Sequence, residues 1–187
     1  MPELYIIAGP NGAGKTTAAK TILPEVFDCD IFLNADEIAA QLNPENAEAA
    51  ALKAGRIMLS QIEECIDKKV TFSIETALAT RSYLQLVSKA QLQQYEVILL
   101  FFYLPSAEMA KQRVRQRVQK GGHSIPENVI ERRYSSGIKN LIDFIEIVNR
   151  WRVYENVVSP PLKIAEGERD GLIKILNFEV WKKLQKI

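Results

Sequence analysis

Gly9-Pro10-Asn11-Gly12-Ala13-Gly14-Lys15-Thr16-Thr17 fits the pattern Gly-x-x-x-x-Gly-Lys-[Ser/Thr], and its flanks decide the fold. Before it runs Leu4-Tyr5-Ile6-Ile7-Ala8, a short apolar β-type stretch; after it, Thr16 to Ile22 opens a helix with Ala18 and Ala19 as helix formers. Strand, glycine loop and helix together make a phosphate site. The glycines let the backbone curl around an anion with its N–H groups inward, and the helix N-terminus adds partial positive charge. Lys15 is placed to reach the β- and γ-phosphates of ATP, and the Thr16 hydroxyl to ligate Mg²⁺.

Outward from the loop, strands and helices alternate. Ile31 to Asn34 reads as a second strand ending at Ala35-Asp36-Glu37, and Asn43-Pro44 as a helix N-cap followed by Pro at the first helical position. Ala47, Ala50, Ala54, Met58, Ile62 and Ile66 recur at helical spacing. Val70 to Ile74 is a third strand ending at Glu75-Thr76, Arg81 to Leu92 a helix, and Glu96 to Leu104 a strand apolar on both faces. Ser106 caps a helix that Gly121-Gly122 stops, and Ser124-Ile125-Pro126-Glu127 reads as a capping box. The helix it opens runs to about Asn149 with a break expected at Gly137; strands at 152–158 and 162–165 and a helix at 177–186 follow. This pattern predicts an α/β, three-layer P-loop NTPase architecture with a mainly parallel central sheet, as one domain over residues 1–187.

Composition narrows the class. The 187 residues are 47% hydrophobic and 25% charged with a formal net charge of +1, which argues against disorder and against a broad nucleic-acid surface. The longest apolar run, Val97 to Leu104, is too short to span a bilayer. Cys29 and Cys65 have neither metal spacing nor a disulfide framework, so reduced thiols in a cytoplasmic protein are expected.

Parallel sheets bind ligands at the carboxyl ends of their strands. That rule groups Lys15, Asp36, Glu75 and Pro105, each following a strand. A carboxylate at Asp36 can accept the proton of an attacking hydroxyl, or it can be a helix-start acid stabilised by the dipole, as Glu37 beside it is read to be. Glu75 can hold Mg²⁺ or hydrogen-bond a substrate, with a surface acid at a strand end as the alternative. Thr76 and Arg81 follow where they could line a substrate pocket. From Lys111 to Arg133 there are seven Lys or Arg against two acids, a local surplus of +5 in a chain whose total is +1. Such a run is usually a solvated face; beside a phosphate loop it can instead be a cationic lid over residues 107–135, hinged at Gly121-Gly122. Arg113 and Arg117 share a helix face there. His123, the only histidine, is read as packing the loop or touching substrate.

Taken together, residues 9–16 (GPNGAGKT), 34–38 (NADEI), 73–78 (SIETAL), 117–123 (RVQKGGH) and 125–134 (IPENVIERRY) resemble the zeta toxin family of P-loop kinases. The resemblance spans roughly residues 3–157. It implies ATP- and Mg²⁺-dependent phosphorylation of a hydroxyl, with UDP-N-acetylglucosamine as the acceptor, and an antitoxin as partner. It also implies Asp36 as catalytic base, Glu75 as a metal or substrate residue, and Arg117 and Arg133, with Arg113, as phosphate-binding arginines. Other readings remain: a kinase of another small molecule, a 5′-hydroxyl polynucleotide kinase, disfavoured by the near-zero net charge, and a nucleotide-binding switch, which has no need of a hydroxyl-activating acid.

Overall fold

The stretch Glu96–Tyr103 is apolar throughout, and in the computed structural model it forms the strand β4, buried along all but its first residue. Residues 1–122 and 124–186 are described, 22–26 by their backbone alone. Around β4 lie β1 (Glu3–Ala8), β2 (Phe32–Leu33), β3 (Phe72–Thr76), β5 (Arg150–Glu155), β6 (Leu162–Glu168) and β7 (Ile173–Ile175). They form one sheet in the order β2-β3-β1-β4-β5-β6-β7. The first five strands pair in parallel; β6 and β7 are antiparallel additions at one edge.

Helices α1 (Lys15–Phe27), α2 (Ala35–Leu42), α3 (Ala47–Lys68), α4 (Ser82–Leu92), α5 (Ala107–Gln119), α6 (Glu127–Ile147) and α7 (Phe178–Leu184) cover both faces. Period-two alternation sorts the strands between two cores. Leu4, Ile6, Val97, Leu99 and Phe101 face Met58 and Ile62 of α3, Val87 of α4, and Leu141 and Phe144 of α6. Tyr5, Ile7, Ile98, Leu100 and Phe102 face Ala19 of α1, Ala110 and Val114 of α5, and Ile130 of α6. The result is the expected three-layer α/β architecture.

Local chemistry departs from the sequence reading at several joints. Asn43 does not open α3. It ends α2, and its Oδ1 accepts from the Asn46 N–H at 3.0 Å; Asn46 is the cap, its Oδ1 accepting from Ala49 N–H at 3.2 Å. The capping box at Ser124 does not form either. Helix α6 starts at Glu127, so Glu127 lies two positions too early for the box, and Pro126 precedes it without a side-chain cap. Glu127 pairs instead with Arg115 Nη1 at 3.1 Å. Gly137 is no break: α6 is continuous, and a Cβ there would stand 2.4 Å from the Ala77 carbonyl oxygen. The glycine is a notch that lets α6 lie directly on the loop after β3. The last strands also shift, with β5 starting at Arg150 and β6 running to Glu168.

Candidate active site

The floor of the site is built where β1, β2 and β3 end. Gly9 leaves β1 at φ +139°, and a Cβ on it would sit 2.2 Å from the Phe102 carbonyl oxygen, so only glycine lets the chain turn this close to β4. The loop closes on Pro10, whose carbonyl accepts from Ala13 N–H at 3.1 Å. From the end of β5, Asn156 donates its Nδ2 to the Ala13 carbonyl at 2.7 Å and clamps the loop from outside.

Lys15 is 6% exposed, and its ammonium donates to the Pro10 carbonyl at 3.0 Å and faces Glu75 Oε1 at 3.5 Å. Burial pulls the Lys15 ammonium below the ordinary lysine value; Glu75 and then Asp36 push it back up, and Arg117 lowers it. Thr16 Oγ1 donates to Glu75 Oε2 at 2.6 Å, and Asn34 Nδ2 donates to the same oxygen at 3.0 Å. Asn34 Oδ1 in turn accepts from the backbone N–H of Asp36 at 2.8 Å and of Glu37 at 3.4 Å. It is therefore Asn34, not Asp36, that caps α2.

Two adjoining cavities open over this floor. One, of about 200 Å³, is lined among others by Lys15, Asp36, Glu75, Thr76, Tyr83 and Arg133. The other, of about 330 Å³, is bounded by Gly12, Gly14, Lys15, Thr16, Thr17 and Arg117, and shares Asp36 and Glu75 with the first. Asn11 lines both, 6% exposed, with its Oδ1 buried and lacking a hydrogen-bond partner among the described residues. A polar atom left so is expected where a ligand completes the site.

The fold thus brings together Asn11, Gly12, Gly14, Lys15, Thr16, Thr17, Asp36, Glu75, Thr76, Arg117 and Arg133, with Gly9, Pro10 and Ala13 as the buried back of the loop. Two expected residues do not line these cavities, although the Arg113 Cβ lies beside the loop, 3.0 Å from where a Cβ on Gly12 would stand. Arg81 pairs with Asp143 of α6 at 2.6 Å, and Arg113 donates to the Val157 carbonyl at 3.2 Å. His123 lies outside the described residues. Glu37, read as a plain helix-start acid, lines the larger cavity and pairs with Lys20 at 2.7 Å. Sequence reasoning missed Asn34, Tyr83 and Asn156. Asn34 had a signal, a cap-type residue directly before Ala-Asp-Glu; the other two had none.

The basic segment divides its labour. Lys111 pairs with Glu131 at 2.9 Å, and Arg115 bridges Glu108 and Glu127, so these cations staple α5 to α6. Among the described residues of the segment, Arg117 and Arg133 are the cations that line the two cavities.

The zeta toxin profile matches residues 1–159, the loop, both carboxylates and the two arginines included. The chain belongs to the zeta toxin family. An uncharacterized protein of Haemophilus influenzae is 31% identical to this zeta toxin family chain over 126 residues, covering 67% of it and 88% of the relative. Among solved structures, a chain of the AvrRxo1-ORF1:AvrRxo1-ORF2 complex with sulphate ions superposes with a TM-score of 0.76 at 15% identity. That match covers 98% of this chain but only 63% of the other; the same complex has also been solved with ATP. A chain of the PezAT toxin-antitoxin system of Streptococcus pneumoniae gives 0.67 at 15% identity, covering 100% and 85%. What these chains share with this one is the fold, a mainly parallel sheet between layers of helices. No helix among the described residues is long and apolar enough to cross a membrane.

Proposed function

We propose that this protein transfers the γ-phosphoryl group of ATP to a hydroxyl of a small molecule, and that UDP-N-acetylglucosamine is the acceptor. The observation that carries the reading is the meeting of Asp36, Lys15 and Glu75 in one cavity at the carboxyl ends of the parallel strands. Lys15, freed from Pro10 and Glu75 by an incoming phosphate, supplies a point charge to the β- and γ-oxygens. The Asp36 carboxylate, exposed and not engaged in capping, accepts the proton of the acceptor hydroxyl as that oxygen attacks phosphorus. Arg117 and Arg133 neutralise charge that develops on the transferred group. Thr16 Oγ1 and Glu75 Oε2, two oxygens already 2.6 Å apart, suit a hard cation such as Mg²⁺. When bound, Mg²⁺ neutralises phosphate charge and orients the phosphate chain. Thr76, Thr80 and Tyr83 line the acceptor side with hydroxyls suited to a sugar. Kinship with a toxin-antitoxin system supports an antitoxin as partner.

One incubation tests this. The protein is mixed with labelled ATP and a panel of sugar nucleotides, with 5′-hydroxyl oligonucleotides in parallel, and products are read by mass. Phosphorylated UDP-N-acetylglucosamine is the expected product. Phosphorylated oligonucleotide would make the protein a polynucleotide kinase, and nucleotide binding with no acceptor product would make it a switch.

A further inference from the structure

Asn34 is 6% exposed at the junction of β2 and α2, and both ends of its amide are engaged. The carbonyl end accepts two N–H groups of α2; the amino end donates to Glu75 Oε2. The partners dictate this orientation, since a flipped amide would set its carbonyl against a carboxylate and its NH₂ against backbone N–H groups. A plain N-cap needs only the acceptor, which Ser or Asp supplies equally well. The second arm therefore has another use. Glu75 Oε2 also takes the Thr16 hydroxyl, and Glu75 Oε1 faces Lys15, so Asn34 joins the phosphate floor to the helix that carries Asp36 through one rigid planar group.

We propose that Asn34 is a positioning residue: its amide fixes Asp36 relative to Glu75, so that occupancy of the phosphate floor is transmitted to the first turn of α2. The proposal rests on the kinase reading for its catalytic consequence. When the Thr16 hydroxyl and the Lys15 ammonium turn to a nucleotide, Glu75 loses two of its three partners and keeps Asn34. The hydroxyl acceptor and the phosphate donor are then held in register by that bond.

Two variants separate positioning from capping. Asn34→Ser and Asn34→Asp both retain an oxygen that caps α2, and both lack the amide N–H that reaches Glu75. If Asn34 is a cap only, Asn34→Ser behaves as wild type, Asn34→Ala is impaired, and any loss in Asn34→Asp comes from repulsion between its carboxylate and that of Glu75. If it positions, kcat for transfer falls roughly 10- to 100-fold in both, while the melting temperature of Asn34→Ser and its KM for ATP (within about threefold) stay close to wild type. A second readout needs no acceptor: hydrogen exchange at the Asp36 and Glu37 amides, with and without Mg-ATP. Wild type should show a nucleotide-dependent change in protection that Asn34→Ser has lost. Wild-type kcat in Asn34→Ser, an unchanged nucleotide response in that variant, or no response in wild type overturns the proposal. Should wild type phosphorylate no acceptor while its exchange response depends on Asn34, the coupling stands and the kinase reading falls.

Discussion

Lys15, Thr16, Asn34 and Glu75 hold one another at 2.6–3.5 Å and are mostly buried, whereas Asp36 and Arg117 stand exposed and Arg133 half-buried on helices above them. The floor comes from strand ends and a loop whose backbone is pinned by neighbours. The wall comes from α2, α5 and α6, which are stapled by ion pairs at their surfaces. In the floor each polar group already satisfies another, so a change there disturbs structure and chemistry together. In the wall Asp36 and Arg117 reach solvent and Arg133 is half-buried, so a change there should disturb chemistry more than structure.

The sharpest break in that comparison is Lys15→Ala. It removes the one lysine that lines the two cavities among the described residues and leaves the largely buried Glu75 carboxylate facing no ammonium, so both the rate and the fold should suffer. Transfer to any acceptor should drop to background, ATP affinity should fall, and the unfolding midpoint should fall with them. Turnover at the wild-type rate would remove the phosphate loop from the mechanism.

Asp36→Asn tests the wall at its most consequential point. The variant keeps shape and loses the carboxylate proposed to accept the proton, so transfer should drop roughly 10²- to 10⁴-fold. ATP affinity should stay within about threefold, about 0.6 kcal/mol. Because Asn34 caps α2, the variant should melt as wild type does, a result that separates base from cap in one sample. Wild-type transfer in Asp36→Asn would mean that Asp36 is not the base. Next in size come Arg117→Ala and Arg133→Ala. Each should cost roughly 10²-fold in kcat and less than about 0.5 kcal/mol of stability, measured by turnover and by denaturant unfolding. Equal losses of rate and stability would move these arginines from wall to scaffold.

The same division explains what the sequence discloses. The floor is legible because its parts obey local rules: a glycine pattern between strand and helix, and an acid at the end of an apolar strand. Asp36 and the two arginines are legible for the same reason, each following a recognisable element or lying on a basic helix. Pairings between distant segments are not. Nothing near Arg81 in sequence signals Asp143, and nothing near Gly137 signals the Ala77 carbonyl pressed against it. The strand β7 is three exposed residues, too short and too uncovered for alternation to betray it. Asn34 lies between the two cases, its capping arm visible in the local pattern and its second arm visible only once β3 lies alongside β2.

The smallest expected effect supplies the control, a buried group at the opposite end of the sheet whose loss should move stability and leave the rate alone. Tyr95, 2% exposed just before β4, shares its hydroxyl proton between the Cys65 and Val70 carbonyls at 2.8 and 2.9 Å. Burial, with a smaller contribution from Cys65, pushes its phenol up to about 12. A phenol raised above its unfolded value of about 10 stabilises the fold below pH ~10 and loses that contribution as pH rises through about 12. Tyr95→Phe should therefore be about 1 kcal/mol less stable than wild type at neutral pH, the worth of one hydrogen bond. The gap should narrow above pH ~10 and be reversed by about pH 12, because the wild-type phenol ionises freely in the unfolded chain while the folded protein holds its proton, and Tyr95→Phe has no such proton. Denaturant unfolding of both proteins across that range measures the difference directly, and transfer kinetics at neutral pH should be identical. A gap that stays constant with pH would place the Tyr95 phenol in water. A lowered kcat would mean that the far end of the sheet reaches the floor after all, and the separation of floor from wall would have to be redrawn.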